Sequence, residues 1–102
     1  MLASFSIAPI GVGEELKDHI AQVLDLIDTS GLPYRLGAMQ TTVEGEPDEV
    51  IDLIMKCHSL MLARAPRVLT HIAIDDRKGA TGRLEGKVTD VENVLGRQLS
   101  SE

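Results

Sequence analysis

Apolar and polar residues alternate at the start of the chain, where Ser4 and Ser6 separate Ala3, Phe5 and Ile7. A period of two is that of a strand with one apolar face. Residues 2–8 therefore predict a first strand, ended by Pro9, Gly11 and Gly13. Over residues 14–30 the period lengthens, and Leu16, Ile20, Val23 and Ile27 fall on one helix face. Glu14 and Glu15 sit in its first turn, where the helix dipole favours negative charge. Gly31 and Pro33 stop it. Residues 34–39 and 41–45 predict a hairpin turning near Met39 and Gln40. Pro47, followed by Asp48 and Glu49, opens a second helix. Its buried stripe is Val50, Ile54, Cys57 and Met61, with Leu53 and Leu60 beside it, and it ends near Arg64. Arg67–Asp75 reads RVLTHIAID. It is β-branched and apolar at its centre, which predicts a fourth strand covered on both faces. Leu84, Val88, Val91 and Leu95 return to helical spacing and predict a third helix over about residues 84–99.

The order β-α-β-β-α-β-α begins with the split βαβ pattern of ferredoxin-like folds. The expected class is α+β, a ferredoxin-like βαββαβ sandwich with an additional C-terminal helix. Residues 1–102 form one domain on this reading. Two helices cover one face of a four-stranded antiparallel sheet, and the first and third strands are central. The other face and the edges need cover. The third helix supplies part of it and a second subunit more.

Composition narrows the function. Apolar residues make up 43% of the 102, while Phe5 and Tyr34 are the only aromatics, so the core is aliphatic. The net charge of −6 argues against binding a phosphate backbone or an anionic membrane. Two aromatics are also too few for base stacking on strands. Cys57 is the single cysteine, so no internal disulfide forms. The N-terminal apolar stretch lacks the basic start of a signal peptide, and no run approaches membrane-spanning length. The expectation is a cytoplasmic protein. No cofactor or metal is expected, because neighbouring helix residues such as Cys57 and His58 point apart and chelate poorly together. The hairpin concentrates the candidate chemistry, with Thr41, Thr42 and Glu44 offering hydrogen-bonding groups and Gly37 and Gly45 letting the backbone bend.

Several stretches resemble the small thiamine-binding protein family in sequence and spacing. They are Pro9-Ile10-Gly11, Ser30-Gly31-Leu32 with Tyr34, and Thr41-Thr42-Val43-Glu44-Gly45. Towards the C-terminus Arg67-Val68, Ile74-Asp75-Asp76-Arg77 and Gly86-Lys87-Val88 join them. The resemblance implies a ferredoxin-like subunit that assembles into dimers and often homotetramers. It also implies binding of thiamine or its hydroxymethylpyrimidine part, without catalytic turnover.

Thiamine presents an aminopyrimidine edge and a cationic thiazolium. Hydroxyls pair with such an edge, and a carboxylate accepts and neutralises. Ser4 or Ser6, with Thr41, Thr42 and Glu44, supply this inventory from neighbouring strands, while Ile7, Tyr34 and Met39 supply walls. The expected ligand-binding set is Ser6, Tyr34, Met39, Thr41, Thr42 and Glu44, with Ser6 and Glu44 sharing a pocket. Against this, threonine is a common strand former, and an acid before a turn is often only solvated. Asp75, Asp76, Arg77 and Lys78 read as a turn with local ion pairs, and Lys87 as a solvated helix residue. A second reading is a structural or interaction protein without a small ligand. An enzyme is a third, motivated by Cys57, His58 and the acids.

Overall fold

The structure, a computed structural model, describes residues 1–13 and 16–100. Its elements are β1 (Leu2–Ile10), α1 (Lys17–Thr29), β2 (Tyr34–Leu36), β3 (Thr41–Glu44), α2 (Pro47–Leu62), β4 (Arg67–Asp75) and α3 (Arg83–Leu95). They form the expected α+β arrangement, one antiparallel sheet in the order β2-β3-β1-β4. The central strands are the first and third, because a right-handed split βαβ chain interleaves its two halves. Glu14 and Glu15, expected in the first turn of α1, lie outside the described residues.

One face of the sheet packs on α1 and α2. The alternating residues Ala3 and Phe5 of β1 and Val43 of β3 meet Val23 and Ile27 of α1. From α2 come Val50, Ile54, Cys57 and Met61. The stripes read from helical and strand periods are thus the core. α2 begins with Pro47 in its first turn and Asp48 and Glu49 behind it, so the missing amide hydrogen falls where a helix leaves amides unpaired anyway.

Three local expectations need correction. β1 runs on through Pro9 to Ile10. Beyond Phe5 it pairs only with β4, and a strand with a free side tolerates a residue lacking an amide hydrogen. β2 stops at Leu36, because the Gly37 amide donates to the Gln40 carbonyl at 2.9 Å and closes the turn over residues 37–40. β4 is not covered on both faces. Leu69, Ile72 and Ile74 are 44%, 44% and 50% exposed. β4 is an edge strand, and α2 holds it near its start, where Thr70 bonds His58.

β1 and β4 therefore leave the sheet as a two-stranded ribbon. The radius of gyration, 15.0 Å, exceeds the ~13 Å of a compact chain of this length. α3 crosses to the face that α1 and α2 leave open. It ends at Gly96, ahead of the expected residue 99.

Candidate functional site

The register of the sheet builds the site. Ala73 of β4 pairs with Ser4 of β1, Ser4 with Thr42 of β3, and Thr42 with Arg35 of β2. One row across all four strands thus points to the face opposite the core. The next row sets Asp75, Leu2 and Glu44 side by side. α3 lies over these rows, and between helix and sheet is a cavity of about 430 Å³. Ser4, Thr42, Arg35 and Gln40 line its polar side. Leu2, Leu84 and Val88 form apolar walls, and Arg83 and the Lys87–Asp75 pair also belong to the lining.

Polar ties hold α3 in place, since none of its described side chains is fully buried. The Glu44 carboxylate accepts the Arg83 amide at 2.8 Å and the Leu84 amide at 3.2 Å. It fills the role of a helix cap, supplied by a residue 39 positions earlier in the chain. Gly82 precedes these amides with φ 65°, a left-handed conformation that glycine adopts without strain. Lys87 donates to Asp75, and this ammonium holds the Asp75 carboxyl below the usual carboxylate range. Arg35 reaches Glu85 at 3.3 Å. Arg83 reaches Asp90 at 3.1 Å and lies along Gly86, where a β-carbon would stand 3.1 Å from its guanidinium.

The six residues expected to bind a ligand do not converge on one cavity. Thr42 lines the cavity under α3. Glu44 is on the same face, but both its oxygens serve α3. Ser6 also points to that face, two residues past Ser4, and is not in the lining; it does not share a pocket with Glu44. It borders a smaller cleft of about 170 Å³ on the helix side, together with Met39 and the buried Thr41. Tyr34 shares the face of Val43, and its hydroxyl donates to Asp28 at 2.7 Å, which raises its pKa above the ordinary 10.0. Period two explains the split: Thr41 and Thr42 are neighbours in sequence and so face opposite sides.

Of the alternatives Ser4 and Ser6, the expected set took Ser6 where the cavity lining holds Ser4, and Arg35, Gln40, Arg83 and Leu84 were missed. Arg35 carried one signal, its place between the inward Tyr34 and the turn. Lys87 and Asp75 were expected as a solvated residue and a local turn partner; they bond each other across the helix–sheet gap. Cys57, His58 and His19 lie outside this cavity's lining. Cys57 is fully buried, and loss of solvation pushes its thiol from 9.0 to about 11. His58 bonds Thr70 through Nδ1 at 2.7 Å, tying α2 to β4. His19 accepts from Arg64 at 3.0 Å. Among the described residues, no cluster of His, Cys, Asp and Glu has the geometry to hold a metal. No helix among them is long and apolar enough to cross a membrane.

The chain matches the profile described as thiamine-binding protein over residues 3–92. It belongs to the thiamine-binding protein family. Curated relatives of this family carry the label UPF0045. One from Mycobacterium tuberculosis is 37% identical over 98 residues, covering 95% of this chain and 96% of its own. The solved structure of a Methanocaldococcus jannaschii protein superposes with a TM-score of 0.80 at 28% identity, covering 88% of this chain and 93% of that one. A Thermotoga maritima structure, assigned provisionally to thiamine biosynthesis or salvage, superposes with a TM-score of 0.78 at 27% identity. It covers 88% of this chain and 96% of its own. These solved chains share the fold, and the family profile covers Ser4, Arg35, Thr42 and Ala73, the row beneath α3.

Proposed function

We propose that this chain binds thiamine or its hydroxymethylpyrimidine moiety, without turnover, in the cavity beneath α3. The carrying observation is the cross-strand pair Ser4–Thr42 in the cavity lining, flanked by Leu2, Leu84 and Val88. Two hydroxyls can donate to and accept from the edge of an aminopyrimidine, and the aliphatic walls suit its ring. The volume of about 430 Å³ falls within the ~300–1,000 Å³ of small-molecule pockets. Family membership and the salvage assignment of a structural relative point the same way. Glu44 enters as the residue that holds the roof. The proposal extends to a cytoplasmic setting, which suits a lone buried thiol, and to self-association through the exposed β4.

Calorimetry with thiamine and with hydroxymethylpyrimidine tests it. Saturable heat is expected, and Thr42→Val should weaken binding roughly tenfold, the scale of one well-formed hydrogen bond. Folded protein that gives no heat with either ligand at near-millimolar concentration would sink the reading.

The exposed Leu69, Ile72 and Ile74 favour a second reading, in which the chain is an oligomeric interaction protein without a ligand. There Thr42→Val combined with Glu44→Ala changes the assembly seen by light scattering, and no ligand binds to either form.

A further inference from the structure

We infer that the smaller cleft on the helix side of the sheet is a second binding site, for an uncharged single aromatic ring that carries one hydrogen-bonding group. The cleft lies between α1 and the turn over residues 37–40 and measures about 170 Å³. It is on the opposite face of the sheet from the cavity beneath α3, so the inference stands apart from the thiamine reading. Thr41 is the one buried polar side chain among the described residues, 8% exposed. It lines the cleft, and its hydroxyl bonds no other described residue. A buried hydroxyl without a partner costs stability, and a polar group on a ligand in the cleft supplies that partner.

Size and walls select the rest of the ligand. An apolar cavity of about 150 Å³ holds one benzene ring. Phe5, Ile20, Leu24 and Met61 wall this cleft, and its lining contains no ionisable side chain. A charged ligand would therefore lose its solvation here without compensation. Two thioethers belong to the lining, Met61 fully buried and Met39 89% exposed. Methionine sulfur makes favourable contacts with the edges of aromatic rings, and the unbranched side chain adapts to what it covers. Met39 can thus fold over a ring that enters. Register sets Thr41 beside Phe5 of β1 and Leu36 of β2, so its hydroxyl meets the ring from the sheet side.

The test titrates the full chain, its methionine methyls isotope-labelled for magnetic resonance, with phenol and with toluene. Phenol should give saturable shifts at Met39 and Met61 at about millimolar concentration or below. Met55, outside the lining, should stay unmoved. Phenol should bind at least as tightly as toluene. In a cleft that offers no partner the order reverses, because burying the phenol hydroxyl then goes uncompensated. Thr41→Val removes the protein hydroxyl at nearly constant shape. Phenol should then weaken about tenfold while toluene stays within about twofold, and Thr41→Ser should keep the phenol preference. The Thr41→Val protein should also need as much urea to unfold as the wild type, or more, since it loses no internal bond. The inference is overturned by toluene binding the wild type more tightly than phenol, by shifts absent from Met39 and Met61, or by a phenol-to-toluene ratio unchanged in Thr41→Val. A lower urea midpoint in Thr41→Val overturns it too, because the hydroxyl would then already have a partner inside the fold. The wild-type arms do not depend on how well either variant folds.

Discussion

Glu44 is the residue on which sequence and structure differ most in meaning. An acid in a polar hairpin reads as a ligand contact; in the fold its carboxylate caps a helix remote in sequence. Replacing Glu44 with Gln removes the charge from the positive end of α3 and should cost about 0.5–2 kcal/mol of local stability. Amide exchange at Arg83 and Leu84 should accelerate while Val43 and Ile54 stay protected. Unchanged exchange at those two amides would show that α3 is held by something else. Gly86 belongs to the same assembly, since a β-carbon there crowds the Arg83 guanidinium. Cys57 gives a prediction with a pH window. Its thiol is pushed from 9.0 to about 11 by burial, so the folded state holds its proton longer than the unfolded chain does. The associated stability is full below pH 9.0 and is lost as pH rises through about 11. Native protein at neutral pH should resist alkylation at Cys57, and the urea midpoint should fall across that alkaline interval by less in Cys57→Ala.

At the scale of elements, α2 and α3 are held in opposite ways. α2 buries Val50, Leu53, Ile54, Cys57 and Met61 and adds one hydrogen bond from His58 to Thr70. Thr70→Val should cost about 1–3 kcal/mol, because it leaves a partly buried imidazole nitrogen without its partner; urea denaturation checks it. α3 rests on Leu84, Val88 and charged ties, with Val91 and Leu95 about half exposed. Its attachment is therefore sensitive to acid. The Lys87 ammonium holds the Asp75 carboxyl below 3.8, so this contribution is present above that value and disappears as pH falls through the lower, folded value. Exchange in α3 should rise on acidification before α2 loses protection, and simultaneous loss would contradict this division.

For the whole molecule, the consequence is an unfinished surface. β4 offers an unpaired edge with Leu69, Ile72 and Ile74 half exposed, on a ribbon that projects past the sheet. An aliphatic edge of this kind invites pairing with another strand. Sedimentation should show a species larger than the 11.0 kDa chain, and Ile72→Glu with Ile74→Glu should shift it towards that mass. A wild-type protein that sediments only at 11.0 kDa at micromolar concentration would rule self-association out.

The sequence alone determined the elements and the core, because periods of 2 and 3.6 record which side of each element is buried. Phe5, Val23, Ile27, Ile54, Cys57 and Met61 could all be read this way. It determined the α+β order too, since each period change and each proline or glycine break marks an element boundary. Thr42 was also legible, as a hydroxyl on a strand that the family resemblance made prominent. What only the tertiary structure decided was which polar residues meet. Register placed Ser4, rather than Ser6, opposite Thr42, and brought Arg35 and Ala73 into the same row. The position of α3 turned Glu44 into a cap and recruited Arg83 and Lys87 to the cavity. Strand register and the docking of a polar-tethered helix depend on pairs far apart in the chain. Such pairs leave no local periodicity, and so the site stayed hidden where the core did not.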